Sequence, residues 1–404
     1  MPDSDKITYI REQMPVTRRK VFLNTGTSGP LATRTTAAMQ EEMARELEEG
    51  RAGVQSFRRF GEIKTALRKA FARLVNARPA EIALTHHTTE GMNIVTHGLN
   101  WQPGDEVVTT TLEHEGGLLP LFVLKQRQGV TVKVVRLTPD DSPEEMVARL
   151  EEAFSPRTRL LVFSHVAWNT GQRLPLAPLA TMARRHGVFT LVDGAQSAGA
   201  IPLDLPASGV DFYALPGQKW LCGPEGIGAL YVRRERLALV APTFVGYASL
   251  ENPTLYDLTG YFLPARGARR FETGTVYRPA MRAMADNLDW LEREVGWEWV
   301  YGRIAHLFDY TRRALSDLPG VTLITPPGPQ AGLLTFTLDG YDPARIVTRL
   351  AEQGIVIRFL PHPYALRVST GFYNTPADID RLIAALQDIL AHSPDDLPPY
   401  TPPW

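Results

Sequence analysis

Short apolar runs alternate with amphipathic stretches along most of the chain. The apolar runs predict strands at residues 82–84, 106–110, 130–135, 160–163, 189–192, 212–214 and 228–232. Apolar residues at helical spacing predict helices near residues 31–50, 60–74, 117–127, 143–153, 176–185 and 198–203. This alternation indicates an α/β fold with a mostly parallel sheet that is flanked by helices on both faces.

The pattern changes after residue 242. Residues 242–279 are rich in Gly, Pro and aromatic residues and predict irregular loops. A long helical stretch from 280 to 300 continues toward residue 318. It precedes predicted strands at 321–324, 333–338, 355–358 and 365–369, a helix at 377–391 and a Pro-rich tail at 394–403. These elements predict a smaller α+β C-terminal domain.

A chain of 404 residues exceeds one average core, so we expect two domains. The first residues read as a short amphipathic arm that joins the smaller unit. We therefore predict a large domain over residues 17–265 and a small domain formed by residues 1–16 and 266–404.

Composition narrows the classes of function and location. The formal net charge of −1 gives no electrostatic footprint for nucleic acid or for an anionic membrane. No apolar run approaches a membrane span, and the first residues lack the pattern of a signal peptide. A single cysteine, Cys222, excludes an intrachain disulfide framework and fits a reducing compartment. We therefore expect a cytoplasmic protein.

One lysine stands out because its surroundings are apolar. Lys219 lies on a glycine-punctuated turn between the apolar runs 210–215 and 228–232, and Asp193 ends the strand-like run 189–192. Ligands of open α/β sheets bind at the carboxyl ends of strands. A lysine that forms a Schiff base and a carboxylate that keeps a ring nitrogen protonated together predict pyridoxal 5'-phosphate (PLP). The alternative for Asp193 is a helix cap.

Further candidates follow other predicted strands. Thr88 and Thr89 lie at a helix start, where backbone N–H groups and the helix dipole favour phosphate; the alternative is an ordinary helix cap. His114 follows another strand and can stack on a flat ring or relay protons, whereas the alternative is a surface or satisfied core histidine. Cys222 is interpreted as a buried small residue rather than a nucleophile.

Polar side chains that could complete the site are Gln196, Arg358 and Arg367. Gln196 can hydrogen-bond the phenolic oxygen of the ring. Arg358 and Arg367 lie near ends of predicted strands, and the planar guanidinium suits an α-carboxylate; the alternative is a solvated arginine.

These motifs resemble those of class V, fold-type I PLP enzymes, a group that contains cysteine desulfurases, isopenicillin N epimerases and cysteine/cystine C–S lyases. The resemblance spans residues 22–380, and its most specific parts are 192–196, 217–219 and 223–228. Residues 164–172 and 193–199 are most similar to the cystine C–S lyases.

The resemblance implies roles for most candidates. Thr88 and Thr89 would bind the phosphate, His114 would stack on the ring, and Lys219 would form the Schiff base. Asp193 would pair with the pyridine nitrogen, Gln196 would contact the phenolic oxygen, and Arg367 would bind the substrate carboxylate. Thr275 would reach the phosphate of the neighbouring subunit, which implies a homodimer with shared active sites.

Three departures from the desulfurase pattern refine this interpretation. Pro216 and Gln218 replace two phosphate donors, so that Gln218 is the remaining candidate there. Trp168 stands where desulfurases have an asparagine and is included among the cofactor-binding residues. The loop 358–364 corresponds to the desulfurase loop with the sulfur-accepting cysteine but contains none, which argues against a persulfide-forming desulfurase.

The leading hypothesis is therefore a PLP-dependent C–S β-lyase that acts on cystine or a related cysteine conjugate, with Lys219 as the general base. It would release pyruvate, ammonia and a sulfur species. The alternatives are a class V aminotransferase, an isopenicillin N epimerase-like enzyme, a hercynylcysteine sulfoxide lyase, or a protein that binds PLP without turnover. No metal site is predicted.

Overall fold

The computed structural model describes residues 3–252, 254–328 and 330–400. Its strands are β1 (Val21–Phe22), β2 (Ile82–Thr85), β3 (Glu106–Thr110), β4 (Thr131–Val135), β5 (Thr158–Ser164), β6 (Phe189–Asp193), β7 (Phe212–Pro216), β8 (Gly228–Val232), β9 (Val321–Leu323), β10 (Leu333–Leu338), β11 (Ile355–Val356), β12 (Arg358–Pro361) and β13 (Tyr364–Ser369). Its α-helices are α1 (Asp3–Gln13), α2 (Val16–Arg19), α3 (Thr33–Glu49), α4 (Val54–Leu74), α5 (Thr88–Gly98), α6 (Glu115–Gln128), α7 (Pro143–Glu152), α8 (Leu176–Arg185), α9 (Leu205–Ser208), α10 (Arg278–Trp290), α11 (Trp297–Ser316), α12 (Pro343–Glu352) and α13 (Pro376–Leu390).

A seven-stranded sheet with the order β2-β8-β7-β6-β5-β3-β4 lies at the centre of the molecule. Strands β7, β6, β5, β3 and β4 run parallel to one another. Strand β8 is antiparallel to both of its neighbours, β7 and β2. The predicted α/β fold with a mostly parallel sheet is therefore confirmed, and the strand that runs against the others is β8.

Helices cover both faces of this sheet because successive side chains of each strand point to opposite sides. On β5, Leu161 and Phe163 pack into one buried cluster, which includes residues of α4, α8 and α10. Leu160 and Val162 pack into the other, with residues of α5 and α6. An uninterrupted apolar run is what a strand buried on both faces requires.

A second, antiparallel sheet has the order β12-β13-β10-β9. Its own buried cluster joins Phe336 and Val368 to Phe308 of α11 and Leu386 of α13. The strands β1 and β11 form a separate parallel pair. These elements form the smaller antiparallel part of the fold, whereas the domain boundaries at residues 16–17 and 265–266 stay predictions.

Three local predictions need correction. Residues 198–203 form turns and not a helix, because Gly199 has a φ of +89° and Pro202 follows it. The predicted strand 355–358 is divided between β11 and β12, which belong to different sheets. The predicted long helix is interrupted by a π-helical turn, Leu291–Val295.

Two further predictions concern the ends of the chain and the membrane. Within the described residues, no helix is both long and apolar enough to cross a membrane. The end of the predicted Pro-rich tail, residues 401–403, lies outside the described residues.

Candidate active site

The carboxyl ends of several strands open on one cavity of about 230 Å³. Ser164 ends β5, Asp193 ends β6 and Pro216 ends β7, and all three residues line it. Every predicted site residue except Thr275 also lines this cavity: Thr88, Thr89, His114, Trp168, Asp193, Gln196, Gln218, Lys219, Arg358 and Arg367. The fold thus brings together residues that lie far apart in the sequence.

Lys219 is held at the cavity by a tight turn between β7 and β8. The Gly217 N–H donates to the Ile227 carbonyl at 2.8 Å, and the Gly223 N–H donates to the Gly217 carbonyl at 2.9 Å. A Cβ on Gly223 would lie 3.0 Å from that Gly217 carbonyl and 2.1 Å from a methionine sulfur, so a side chain there has no room. The glycines therefore fix the path of the backbone on which Lys219 stands.

The surroundings of the Lys219 amine shift it toward its neutral form. Burial lowers its pKa to about 8, the negative charge of Asp193 opposes this shift, and Arg367 and Arg358 add to it. A larger fraction of the amine is therefore unprotonated near neutral pH than for an ordinary lysine. Only the neutral amine can attack an aldehyde or accept a proton.

Asp193 is a buried carboxylate with little local compensation. It is 5% exposed, and one of its oxygens accepts a hydrogen bond from the Ala195 N–H at 2.8 Å. Within the described chain, no cationic side chain lies within ion-pair distance of it. Buried carboxylates are costly without a cation, so this side chain is set for a positively charged ligand atom.

The start of α5 lines one end of the cavity with hydrogen-bond donors. Thr88 begins the helix, and its buried hydroxyl oxygen has no hydrogen-bond partner. Gln218 also has a buried amide oxygen without a partner, and a flip of the amide would present its N–H₂ donors instead. A phosphate group fits this arrangement, since it would satisfy the free hydroxyl and the unpaired backbone N–H groups of the first turn.

His114 and Trp168 form an aromatic wall. The two rings meet edge to face, with centroids 5.1 Å apart at 80°. His114 caps α6 through Nδ1, which accepts from the Gly116 N–H at 3.1 Å. Burial and the positive charge of Lys219 both lower the pKa of His114, so the imidazole is neutral and suited to lie against a cationic ring.

Gln196 is tied to the cavity wall at both ends of its amide. Its N–H₂ donates to the Gly26 carbonyl at 2.9 Å, and its oxygen accepts from the Trp220 indole N–H at 2.9 Å. One amide hydrogen remains for a ligand oxygen. Its predicted contact with the phenolic oxygen stays a prediction.

Two arginines face each other across neighbouring strands. Arg358 on β12 and Arg367 on β13 are directly paired in the antiparallel register. Arg367 is 1% exposed, donates to the Trp168 carbonyl at 2.9 Å and to the Thr27 hydroxyl at 3.1 Å, and has a buried Nε without a partner. Like charges opposite each other destabilise a sheet, so this pair indicates a site for anionic groups.

Arg358 completes the mouth of the site. Its guanidinium lies 5.8 Å from the centroid of the Trp168 ring, and it donates to the Thr27 hydroxyl at 3.4 Å. Burial lowers the pKa values of Arg358 and Arg367, and the charge of Arg358 adds to the effect on Arg367. Both cations are therefore only partly compensated by the protein.

Sequence reasoning missed several residues of the site. Gly26 and Thr27 come from the glycine-rich turn after β1, which the antiparallel part of the fold brings to the cavity, and His87 caps α5. Ser164 lines the cavity at the end of β5, and Glu113 lies just behind it. Ser164 is the last residue of β5 and Glu113 lies three residues after β3, so polar residues at the ends of buried strands are the sequence signal for both.

Thr275 does not line the cavity of its own chain. It is exposed, and its hydroxyl lies 2.9 Å from the hydroxyl of Tyr247. Its predicted contact with the phosphate of a neighbouring subunit stays a prediction.

Comparisons with known proteins agree on one family. Residues 21–382 match the family described as Aminotransferase class-V. A probable cysteine desulfurase of Pseudomonas aeruginosa is 36% identical over 331 residues, which cover 76% of this chain and 78% of that protein. The isopenicillin N epimerase of Streptomyces clavuligerus is 34% identical over 384 residues, covering 91% and 94%.

Comparison with solved structures also finds PLP enzymes that act on sulfur-containing amino acids. A complex of the cystine C–S lyase C-DES with its reaction product cysteine persulfide superimposes with a TM-score of 0.88 at 34% identity, covering 93% of this chain and 99% of that one. A lysine-to-alanine mutant of C-DES, with glycine covalently linked to the PLP cofactor, gives a TM-score of 0.89 at 34% identity, with 96% and 100% coverage.

Proposed function

Since this chain belongs to the class-V aminotransferase family and is a PLP-dependent enzyme related to cysteine desulfurases and C–S lyases, we propose that it is a C–S β-lyase. Its substrate would be cystine or a related cysteine conjugate. Cystine and water would give pyruvate, ammonia and cysteine persulfide, in which the Cβ–S bond of one half of cystine breaks and its sulfur leaves with the other half.

The burial of the single cysteine is the observation that favours a lyase over a desulfurase. Cys222 is 0% exposed, and burial raises the pKa of its thiol. It does not line the cavity, and the loop 358–364 has no cysteine. A desulfurase that takes the sulfur onto its own thiolate needs a reactive, accessible cysteine, and this chain offers none.

The two arginines support a substrate with two carboxylates. Arg367 has the buried, uncompensated guanidinium that an α-carboxylate would pair with. Arg358, directly opposite and partly exposed, would take the second carboxylate of cystine or of a similar conjugate. A monocarboxylic amino acid would leave one of these charges unpaired.

The residues of the cavity supply the remaining chemistry. PLP, when bound, provides the aldehyde that holds the substrate amine and the ring that withdraws electrons from Cα. Asp193 would hold the ring nitrogen protonated, and Thr88, Thr89 and Gln218 would hold the phosphate. Lys219 would anchor the cofactor and, once released by the substrate amine, would remove the Cα proton as general base, which its lowered pKa favours.

The test is a substrate panel of cystine, cysteine, cysteine S-conjugates and cysteine sulfoxides, scored for pyruvate. We expect the highest kcat/KM for cystine or another dicarboxylic conjugate. An aminotransferase would form product only with an added keto acid. An epimerase would exchange the Cα hydrogen with solvent deuterium and release no pyruvate, so either result would replace the lyase proposal. Release of sulfide from cysteine only in the presence of a thiol acceptor would favour a desulfurase.

We also propose a homodimer in which Thr275 contributes to the active site of the partner. Exposed apolar side chains cluster in the preceding segment, including Phe244, Tyr247 and Tyr261, as expected for an interface. Subunits with Lys219→Ala and subunits with Thr275→Ala would complement each other when mixed, because one site of each hybrid would be intact. A monomer in sedimentation analysis, or no complementation, would contradict this.

A further inference from the structure

One buried carboxyl group at the cavity is not used by the chemistry above. Glu113 lies in the loop between β3 and α6, directly before His114, and is 8% exposed. One of its oxygens accepts from the Thr110 hydroxyl at 2.6 Å and the other from the Ser164 hydroxyl at 2.7 Å. No lysine, arginine or histidine of the described chain pairs with it.

Two other buried glutamates, Glu106 and Glu272, differ in this respect. Glu106 pairs with Lys133 at 2.7 Å, and Glu272 pairs with Lys64 at 3.0 Å. A buried carboxylate without a cation is costly, and the cost is avoided when the group is protonated. Burial raises the pKa of Glu113 to about 7, and the negative charge of Asp193 shifts it in the same direction.

Two hydroxyl groups flank the carboxyl group of Glu113. The Leu112 N–H donates to the Thr110 hydroxyl at 3.0 Å, and the hydrogen of that hydroxyl is directed to Glu113. Because the Thr110 oxygen already accepts that N–H, we assign the acid proton of Glu113 to the oxygen that faces Ser164. When Glu113 donates to Ser164, the hydrogen of the Ser164 hydroxyl becomes free to point elsewhere.

Ser164 connects Glu113 with the cavity. Ser164 and Asp193 are directly paired across β5 and β6, and both side chains line the cavity. The other titratable or charged groups that face this cavity are His87 and His114 at the helix starts, Lys219 on the turn after β7, and Arg358 and Arg367 on the antiparallel sheet.

We propose that Glu113 is a positioning residue that holds a proton behind the cavity and, through Ser164, supplies a hydrogen-bond donor beside Asp193. Asp193 then remains the single anion that faces the ring nitrogen. This inference rests on the role proposed for Asp193, but it does not depend on which substrate the enzyme cleaves.

The experiment measures PLP binding to the apoprotein by absorbance and tryptophan fluorescence, from pH 5.5 to 9, without substrate. Glu113→Ala leaves the Ser164 hydroxyl without its partner, and we expect it to weaken PLP binding about tenfold. Glu113→Gln can accept from Thr110 and donate to Ser164 as the acid does. We expect it to restore binding at pH 6 to within about threefold of the natural protein.

The pH profile separates positioning from a merely structural role. In the natural protein, ionisation of Glu113 adds a step near pH 7 to the pH dependence of PLP affinity, and Glu113→Gln removes that step. Glu106→Gln makes the same chemical change at the other end of β3 and should leave the step in place. Equal damage by Gln and Ala, or a step that persists in Glu113→Gln, would overturn the proposal.

The path through Ser164 has its own test. If Glu113 acts through this hydroxyl, adding Ser164→Ala to Glu113→Ala changes PLP affinity less than about twofold, because the two effects are not independent. Additive effects would contradict the path. Should Glu113→Ala fail to fold, the pH profile of Glu113→Gln decides alone. Pyruvate assays are not needed, so a wrong substrate assignment would leave the result readable.

Discussion

The strands of the central sheet end in two rows, one away from the cavity and one at the cavity, which we call its two edges. The two edges differ in how buried charges are compensated. At the edge away from the cavity, Glu106 begins β3 and is held by Lys133 at 2.7 Å and by the Ser155 and Thr158 hydroxyls. Asp211, directly before β7, is held by Arg236 at 2.7 Å. There the protein itself compensates each charge, and these groups stabilise the fold.

At the cavity edge the corresponding charged groups lack a counter-charge from the described chain. Asp193 and Lys219 have no ion-pair partner within the described chain, and Arg358 and Arg367 face each other as like charges. The same residue types thus stabilise the fold at one edge and, as we propose, bind ligand at the other. The absence of a counter-charge, more than burial of the charged group, therefore distinguishes the cavity edge.

The largest effect that would test this comparison is expected for the lysines. Lys219→Ala should reduce pyruvate formation by ~10²–10⁴-fold, because the general base is lost, and borohydride should no longer trap PLP on the protein. Lys133→Ala should keep covalent trapping and activity while lowering the melting temperature, since it breaks the pair with Glu106. Trapping that survives in Lys219→Ala would invalidate the site.

The aspartates should give the next largest effect. Asp193→Asn keeps the shape but removes the charge opposite the ring nitrogen, and we expect a ~10²–10³-fold loss of kcat/KM, equivalent to about 3–4 kcal/mol. Asp211→Asn should lower stability and leave kcat/KM within about twofold. Steady-state kinetics and thermal melts of both variants measure these effects. Comparable losses of kcat/KM in the two variants would contradict the proposed difference between the two edges.

The arginines should give a smaller and substrate-dependent effect. Arg367→Lys loses the bidentate fork, so KM should rise about 10- to 100-fold for every amino-acid substrate. Arg358→Lys should raise KM about tenfold for cystine but much less for a conjugate without a second carboxylate. If Arg358→Lys affected both substrates equally, the proposed second carboxylate site would be wrong.

The smallest effect is a difference in how stability depends on pH. The cation and hydroxyls around Glu106 lower its pKa in the folded state even though burial acts in the opposite direction. It therefore stabilises the fold above its unfolded pKa, and this contribution is lost as the pH falls. Glu106→Gln should cost about 1–3 kcal/mol at pH 7 and progressively less in acid.

Glu113 should give the opposite slope. Its folded pKa is raised to about 7, so the folded state binds the extra proton and loses stability as the pH rises from about 4.5 toward 7. Glu113→Gln should remove this loss and be relatively more stable above pH 7. Urea unfolding of both variants between pH 4 and 8 measures the two slopes, and slopes of the same sign would contradict the contrast between the edges.

Much of the fold and part of the site followed from local sequence signals. The runs 106–110, 228–232 and 333–338 coincide with strands, because buried strands are rich in apolar and β-branched residues. Residues 198–203 do not form the predicted helix, because Gly199 and Pro202 interrupt the helical backbone that the apolar spacing favours. Local rules compete at such places, and the backbone follows the glycine and the proline.

The sequence by itself determined that Asp193 ends one apolar strand and that Lys219 lies on the turn after another, because both signals lie within a few residues of a strand. Only the tertiary structure decided that Arg358 faces Arg367, that Thr27 joins them, and that no cation of the described residues pairs with Glu113. Charge compensation depends on which side chains meet in space. Residues hundreds of positions apart in the chain meet through the packing of the sheets, which no local pattern encodes.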